Sequence, residues 1–406
     1  MLRSEAGRFP VVAGIPVLTL DISAATVVKL LDEAHTAEAL LRLLSLQPVH
    51  NSFQRKLARL LPLQRWRATV QAHLDRVDRE RQIEASKELL QESTTFCKLA
   101  SKALWPENAH CKRLRFSDPT YLPAYTLAQA AADHAQRCGG RVVDIGCGAG
   151  HVARVLANCL GPERVVGVDC SFLSLYLAKR FIVQDSLLVC CDAQQGLPFR
   201  SQEFSAVFSS DALHYMPAKR VVIAEMRRVL TESGLLVLAH LHNALEPNVS
   251  AGSPLTPAGY RRLLDGCNTV LASEADILEA QLAGERGLDV RNTPADNARA
   301  LFSMSGAVPT LIPVRYPNEP RDDEEGNWQI NPIFEIEPNG DHVIARRRFP
   351  SHQYETEFAD AVRYLPESVT VPRSLFRQLP LSRLHDTLAR QLAQQFVLLN
   401  LPESYV

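Results

Sequence analysis

The chain has 406 residues, of which 46% are hydrophobic and 22% are charged, and its formal net charge is −1. This composition is typical of a water-soluble globular protein, and the length predicts about two to three domains. The near-neutral charge disfavours a strongly basic nucleic-acid binder, and no apolar run is long enough to cross a bilayer. The nine cysteines form no Cys-x-x-Cys pair, so we expect a cytoplasmic protein with reduced thiols.

Residues 1–117 are predicted to form a mainly helical N-terminal region. Two short strands are expected over 9–20, around a Gly-Ile-Pro turn. Ser23 suits the N-cap of a helix over 23–46, and a second helical stretch is expected over 53–103.

Strands and helices alternate regularly across residues 118–245, after a first helix over 122–136. The predicted strands cover 141–145, 164–169, 187–191, 205–210 and 234–241, and the helices between them cover 150–160, 172–181 and 218–230. The strands are mainly apolar, as in sheets that are buried on both faces. The pattern predicts an α/β fold with a mostly parallel, Rossmann-like sheet covered by helices.

Residues 246–406 lose this alternation and are predicted to form an α+β extension that completes the sheet and the substrate pocket. A strand is expected over 309–316, and Asn339-Gly340 favours a tight hairpin turn. An amphipathic helix is expected over 382–401, because its apolar residues recur at helical spacing. Those residues, which we interpret as core packing, are Leu384, Leu388, Leu392 and Phe396.

A glycine-rich turn joins the first predicted strand to the following helix. The strand carries Asp144 and is followed by Gly146, Gly148 and Gly150 at alternate positions. Glycine is needed where the backbone turns sharply or where a ligand lies against bare main chain. A turn of this kind between a parallel strand and a helix predicts a nucleotide-like ligand.

Two carboxylates follow the next two strands, at the same edge of the predicted sheet. Asp169 ends the second strand, where a carboxylate can accept hydrogen bonds from both hydroxyls of a ribose. Asp192 follows the third strand, where it can accept from the amino group of adenine, and Phe172 and Leu173 can enclose the base. The fourth strand ends in Ser-Ser-Asp211-Ala-Leu-His-Tyr.

These blocks resemble the class I S-adenosylmethionine-dependent methyltransferases, in particular those with a methyltransferase-11-like core. The shared pattern is Asp-x-Gly-x-Gly-x-Gly, then Asp, then Asp-Ala with Leu-Pro-Phe, and it covers about residues 118–241. A dinucleotide-binding loop would instead have two residues before its third glycine, which disfavours a dehydrogenase. The resemblance implies S-adenosyl-L-methionine as the cofactor and a seven-stranded sheet with an antiparallel edge strand.

The resemblance also implies a set of cofactor-binding residues. The glycine loop would line the methionine and ribose portion, and Asp144 would anchor the amino group or the loop. Asp169 would bind the ribose hydroxyls, and Asp192 would bind the adenine amino group. Asp211 and Leu213 would lie below the sulfonium, and Tyr121 would reach the cofactor from the preceding helix. The full set is Tyr121, Asp144, Gly146, Cys147, Gly148, Gly150, Asp169, Cys170, Phe172, Asp192, Ala193, Asp211 and Leu213.

Three histidines at the ends of the fourth and fifth strands are candidates for proton transfer. The sulfonium is already activated, so in-line placement supplies most of the acceleration, and a general base helps only for a hydroxyl acceptor. His242 is the preferred base and His214 the second candidate. The alternatives are that His240 and His242 are strand-end residues bonded to neighbouring backbone, and that His214 packs beside the cofactor without proton transfer. Asp211, His214 and His242 are of metal-ligating type, but their spacing requires no ion, so we expect no metal.

The acceptor is expected to be a small molecule, with oxygen or nitrogen receiving the methyl group, because the charge is neutral and the regions outside the core are large. Tyr260, Tyr316, Trp328 and Tyr354 are candidates for lining its pocket. An RNA or protein methyltransferase would call for a basic face or an Asn-Pro-Pro-Tyr-like block after the fourth strand, which is absent. A non-catalytic scaffold is disfavoured by the intact cofactor residues. We expect no nucleic-acid or membrane partner, and a homodimer is compatible with the sequence.

Overall fold

The computed structural model describes residues 1–4, 7–19, 22–44, 70, 90–248, 252–266, 268–290, 296–318 and 325–406. The strands outside the main sheet are β1 Leu2–Ser4, β2 Gly7–Phe9, β3 Val11–Val12, β4 Ile15–Pro16, β11 Gly287–Asp289, β13 Leu311–Pro313, β14 Trp328–Ile330, β15 Phe334–Asn339, β16 His342–Arg347, β17 Ser368–Pro372 and β18 Leu398–Asn400. The main sheet contains β5 Val142–Ile145, β6 Val165–Asp169, β7 Leu187–Cys190, β8 Phe204–Ser210, β9 Leu230–His242, β10 Thr269–Ser273 and β12 Ala300–Gly306.

The main sheet has the order β10-β12-β9-β8-β5-β6-β7. Strands β9, β8, β5, β6 and β7 are parallel, and β12 is antiparallel to both β9 and β10. The predicted Rossmann-like sheet of seven mostly parallel strands is therefore confirmed. The strand order reverses between β5 and β8, and open α/β sheets bind ligands at the carboxyl ends of strands at such a point.

Both faces of this sheet are buried, as the continuous apolar runs predict. Alternate residues of one strand point to opposite faces, so Val142 belongs to one apolar cluster and its neighbour Val143 to the other. The same split holds for Val165 and Val166 in β6. The described α-helices are Ile22–Asp32, Thr36–Leu44, Phe96–Ala103, Pro106–Leu114, Tyr121–Arg137, His151–Leu160, Phe172–Leu177, Lys219–Val229, Pro257–Leu263, Glu274–Leu282, His352–Glu357, Arg373–Phe376 and Thr387–Gln394.

The N-terminal part differs from the predicted single helix over 23–46. A helix begins at Ile22, one residue before the expected N-cap Ser23, and a second helix begins at Thr36. Ala34 lies between them with a positive φ of 62°, a conformation that ends a right-handed helix. Most of the helical stretch predicted over 53–103 lies outside the described residues, which include the helix Phe96–Ala103 at its end.

A short N-terminal segment joins the β7 edge of the main sheet. Val17 pairs in parallel with Cys190, and the Leu18 N–H donates to the Cys190 carbonyl at 2.7 Å. The turn just before this segment is made by Ala13 and Gly14, whereas Ile15 and Pro16 of the predicted Gly-Ile-Pro turn form β4.

The C-terminal part supplies β10 and β12 to the main sheet and adds smaller sheets. The predicted hairpin is present, with Asn339 paired to His342, so the two loop residues are Gly340 and Asp341. The helix predicted over 382–401 is wrong in length. It covers only Thr387–Gln394, and Leu398–Asn400 instead pairs with Trp328–Ile330.

The apolar positions of that C-terminal segment nevertheless pack as expected. Leu384, Leu392 and Phe396 are buried in the core, and Leu388 packs against it. Phe396 has a positive φ of 55°, which redirects the chain from helix to strand.

Candidate active site

The glycine turn occupies the carboxyl end of β5, next to the point where the strand order reverses. Gly146, Gly148 and Gly150 have positive φ angles of 76°, 54° and 84°, a backbone region that residues with a Cβ rarely adopt. The N–H groups of Gly146 and Cys147 both donate to the Val168 carbonyl, at 2.8 and 3.0 Å. These bonds fix the turn against β6, and Gly150 starts the following helix.

Asp169 at the end of β6 is hydrogen-bonded to the backbone of the same loop. Its Oδ2 accepts from the Gly148 N–H at 2.8 Å, and its Oδ1 accepts from the Ser171 N–H at 2.7 Å. The carboxylate is thus oriented by two backbone donors, and it is only partly buried. An oriented, partly open carboxylate beside a bare backbone loop suits a ligand with adjacent hydroxyls.

Asp192 follows β7 and caps the short 3₁₀ turn Ala193–Gln195 by accepting from the Gln194 N–H at 2.9 Å. On the neighbouring side of β7 lies a cavity of about 320 Å³. Its sheet-side lining includes Cys170, Phe172, Leu173 and Cys190, and its other wall includes Leu43, Ala103 and Leu104. The N-terminal region therefore faces Phe172 and Leu173, the two residues expected to enclose an adenine.

A larger cavity of about 440 Å³ lies around Gly234 and Gly306. Gly234 lies near the start of β9 and Gly306 ends the antiparallel β12. This cavity is therefore at the opposite edge of the sheet from the glycine turn, and we place the chemistry at the carboxyl ends instead.

Asp144 lies within β5 and is 2% exposed. Its Oδ2 has no hydrogen-bond partner among the described residues. Burial, together with the nearby Asp169 charge, raises the pKa of this carboxyl group to about 8. An unpartnered buried carboxyl oxygen beneath the turn is suited to a cationic or hydrogen-bonding ligand group.

The helix Pro106–Leu114 and the turn after it approach the site from the N-terminal side. The Lys112 Nζ lies 3.4 Å from where a Cβ on Gly148 would be. Arg115 contacts the buried Asp118 at 3.2 Å, and Asp118 in turn accepts from the Tyr121 N–H at 2.8 Å. Tyr121 is 5% exposed and packs edge-on against Phe116, so this helix N-terminus is firmly held.

A second cluster lies at the ends of β8 and β9. The His242 Nε2 is 3.1 Å from the Asp211 Oδ1, and the His214 ring lies 4.2 Å from the His242 ring between centroids. His214 is 2% exposed, and neither of its ring nitrogens has a hydrogen-bond partner among the described residues. Burial lowers the pKa of His214 to about 4, which keeps its imidazole neutral.

His240 joins this cluster and is tied to Glu274 from the C-terminal part. Its Nδ1 lies 2.5 Å from the Glu274 Oε2, and its backbone N–H donates to Oε1 at 3.1 Å. Burial would lower the pKa of His240, but Glu274 and Asp211 outweigh it and raise the pKa to about 9. Asp211 and His240 both have positive φ angles, 55° and 50°, and such strained backbone concentrates at functional sites.

The predicted site residues thus fall into two neighbouring groups. One surrounds the turn and the ends of β6 and β7, and the other surrounds the ends of β8 and β9 and includes the buried Leu213. Sequence reasoning missed Lys112, Arg115 and Glu274, which no motif marks. The proposed pocket residues Tyr260, Trp328 and Tyr354 are at most 2% exposed, so they are core residues. Tyr316 is partly buried and packs against that core.

The methyltransferase-11 family model, described as a methyltransferase domain, matches residues 143–238. The chain is 28% identical over 154 residues to phthiotriol/phenolphthiotriol dimycocerosates methyltransferase 1 of Mycobacterium ulcerans, covering 37% of this chain and 57% of that protein. It is 34% identical over 128 residues to the ubiquinone/menaquinone biosynthesis C-methyltransferase of Bordetella parapertussis, covering 30% and 48%. The chain thus spans about half the length of these curated relatives.

Among solved structures, geranyl diphosphate C-methyltransferase from Streptomyces coelicolor is similar, with 16% identity and a TM-score of 0.33. The match covers 45% of this chain and 75% of that one. In the part of the chain that the structure describes, no helix has the length and apolar character needed to cross a membrane.

Proposed function

Since residues 143–238 are a class I methyltransferase core of the kind that takes S-adenosyl-L-methionine, we propose that the chain as a whole methylates a small organic molecule. The observation that carries this proposal is the backbone cradle at the end of β5, where three glycines have positive φ beside Asp169. A Cβ at Gly148 would project into the space below Lys112, so the loop fits a ligand that approaches bare main chain.

In the proposed complex, the methionine end lies over the glycine turn with Asp144 beneath it, and Asp169 accepts from the ribose. The adenine lies near Asp192 and the cavity beside Phe172. When bound, the cofactor supplies a methyl group on a positively charged sulfur, which is already a strong electrophile. The protein contributes chiefly position and orientation, which are worth several orders of magnitude in rate.

The acceptor is placed at the ends of β8 and β9, beside the Asp211, His214 and His242 cluster. We propose that His242, hydrogen-bonded to Asp211, activates the acceptor, and that the buried, neutral His214 borders it. Imidazoles at this edge can take up a proton or hold a group that lowers the acceptor's pKa.

A small-molecule acceptor is favoured over RNA or protein by the net charge of −1. The wall that Leu43, Ala103 and Leu104 form opposite Phe172 also supports it, because it narrows the access of a large polymer to this side of the sheet. One relative is named as a C-methyltransferase of ubiquinone and menaquinone biosynthesis, so carbon is tested as an acceptor atom beside oxygen and nitrogen. A cytoplasmic location and a homodimer stay predictions from the sequence.

The first test measures cofactor binding by isothermal titration calorimetry. Asp169→Ala is expected to weaken S-adenosylmethionine binding by about 10- to 100-fold, since hydrogen bonds to a charged acceptor are each worth about 1.5–3 kcal/mol. Asp185→Ala, at an exposed turn residue, is the matched control and should bind as the wild type does. Equal affinity of both variants would contradict the assigned ribose site.

The second test identifies the acceptor class. The wild type is incubated with methyl-labelled cofactor and separate small-molecule, RNA and protein fractions of a cell extract. Label in the small-molecule fraction is expected. Label only in RNA or protein would favour the alternative acceptors, and binding without transfer to any fraction would favour a non-catalytic scaffold.

A further inference from the structure

Asp211, His240 and His242 bring three donor atoms, one from each residue, within 4.8 Å of one another. The sequence alone suggests Asp211, His214 and His242 as residues of metal-ligating type, whereas the structure brings His240 rather than His214 together with the other two. One pair of these donors, the His242 Nε2 and the Asp211 Oδ1, is 3.1 Å apart. Donors that bind one ion at about 2.0–2.1 Å are separated by roughly 2.8–3.0 Å at neighbouring octahedral positions and by roughly 3.3–3.4 Å in tetrahedral geometry.

The donor types indicate which ions would fit. Two imidazoles and one carboxylate suit a divalent transition metal, whereas Mg²⁺ and Ca²⁺ prefer sites made wholly of oxygen. Three protein donors on one side leave further coordination positions open. The Asp211 side chain is 38% exposed, so those open positions can be reached by a small molecule.

Glu274 supplies the outer support that metal-binding histidines commonly have. Its carboxylate contacts the His240 Nδ1 at 2.5 Å and also accepts from the His240 backbone N–H, which leaves Nε2 as the donor for an ion. Such a carboxylate fixes the ring orientation and strengthens the nitrogen as a ligand. Glu274 is 4% exposed, so this orientation is set inside the protein.

Backbone strain and charge point to the same place. Asp211 and His240 both have positive φ, although neither is glycine, and backbone strain of this kind concentrates at binding and catalytic sites. The negative groups around the cluster are the carboxylates of Asp211, Glu274 and Asp118. The positive group is the guanidinium of Arg115, which contacts Asp118 at 3.2 Å. These groups carry three negative charges and one positive charge, and a protonated His240 still leaves a net charge of −1, which favours a bound cation.

We propose that Asp211, His240 and His242 bind one divalent transition-metal ion, held in place by Glu274. This inference rests on the proposed methyl transfer and names the means of acceptor activation. The ion takes an acceptor hydroxyl oxygen at an open coordination position and favours release of its proton to solvent water. The acceptor oxygen then attacks the methyl carbon, its bond to sulfur breaks, and the sulfur keeps the electron pair as a neutral thioether.

The test uses the untagged, chelator-treated full chain, titrated with Zn²⁺, Co²⁺ or Mg²⁺ by calorimetry, with Co²⁺ also followed by visible absorption. One tight site for Zn²⁺ and Co²⁺, and none for Mg²⁺, is expected. His240→Asn should weaken Zn²⁺ binding by at least about 100-fold, and Glu274→Gln by about 10- to 100-fold. Asparagine tolerates positive φ, so the first variant keeps the fold. His352→Ala removes an imidazole with 95% side-chain exposure and is the matched control.

The outcomes separate this inference from the proposed function. Zn²⁺ binding that is unchanged in His240→Asn, or no Zn²⁺ binding by a wild type that binds S-adenosylmethionine, overturns the metal site and leaves the methyltransferase intact. Zn²⁺ binding that depends on His240, in a protein that fails to bind S-adenosylmethionine, supports the site and overturns the proposed function. If methyl transfer is insensitive to the chelator but lost in His242→Ala, then His242 acts directly as a base and the inference fails.

Discussion

Asp144 is a carboxyl group inside the sheet whose burial raises its pKa to about 8, against about 3.9 in an unfolded chain. Between these two values the folded protein keeps the proton and the unfolded chain releases it. The free energy of unfolding should therefore fall as pH rises from about 4 to 8, by at most about 1.4 kcal/mol per pH unit from this group. The effect should level off above pH 8.

Urea unfolding without cofactor at pH 5, 6, 7 and 8 measures this contribution. Asp144→Asn carries no ionisable group, so its stability should fall less steeply with pH than that of the wild type. Asp185→Asn, at an exposed turn position, should follow the wild type. Parallel pH profiles for wild type and Asp144→Asn would show that Asp144 is already ionised in the folded protein.

The loop after β5 has one position where added bulk meets little protein. At Gly148 a Cβ would contact only the flexible end of Lys112, at 3.4 Å, so Gly148→Ala should fold with a backbone penalty of about 1–2 kcal/mol. The new methyl group would stand where the ligand meets the main chain. We expect S-adenosylmethionine affinity to fall by at least about 10-fold, equivalent to 1.4 kcal/mol.

Gly139→Ala is the matched control for that loop variant. Gly139 also has a positive φ, 63°, and nothing lies within 4 Å of its Cβ position. It should show the same loss of stability with unchanged cofactor affinity by calorimetry. Equal affinity in the two variants would mean that the ligand does not approach Gly148.

The elements predicted well from sequence are those whose causes are local. The strands β5 to β8 are short, mainly apolar runs, and β9 contains another over 235–239. The turn between β5 and its helix needs glycine at Gly146 and Gly150 because both have positive φ. The missed features depend on distant partners. Leu398–Asn400 forms a strand because it pairs with Trp328–Ile330, although its own spacing continues a helix.

The residues of the candidate site also divide into those that local sequence predicts and those that depend on distant parts of the chain. Asp169 and Asp192 follow strands and could be placed by their position in the alternating pattern. Glu274 contacts His240 across 34 residues of sequence, and only the pairing of β12 with β9 brings that part of the chain to the site. No local pattern could have joined them.

On the scale of the whole molecule, Tyr405 connects the C-terminal end of the described chain to the N-terminal region and to the helix that follows the glycine turn. Its ring stacks on Phe96 with centroids 4.6 Å apart, and its hydroxyl donates to the Lys112 carbonyl at 3.0 Å and lies 3.1 Å from the His151 Nε2. Tyr405→Phe keeps the stacking but leaves these buried groups without the hydroxyl. The expected loss is about 1–3 kcal/mol in the free energy of unfolding.

Urea unfolding followed by far-ultraviolet circular dichroism measures this loss. Val406→Ala, at a neighbouring residue with 51% exposure, should leave stability unchanged. Because His151 opens the helix after the glycine turn, Tyr405→Phe should also weaken cofactor binding. Unchanged stability would mean that the hydroxyl is replaced by water at no net loss.

The pairing of Val17 and Leu18 with Cys190 has a consequence for how the protein behaves at high concentration. β7 is the outermost of the parallel strands, and an uncovered edge strand offers its N–H and C=O groups to strands of other molecules. The N-terminal segment occupies part of that edge within the same chain. It therefore protects the protein against edge-to-edge aggregation.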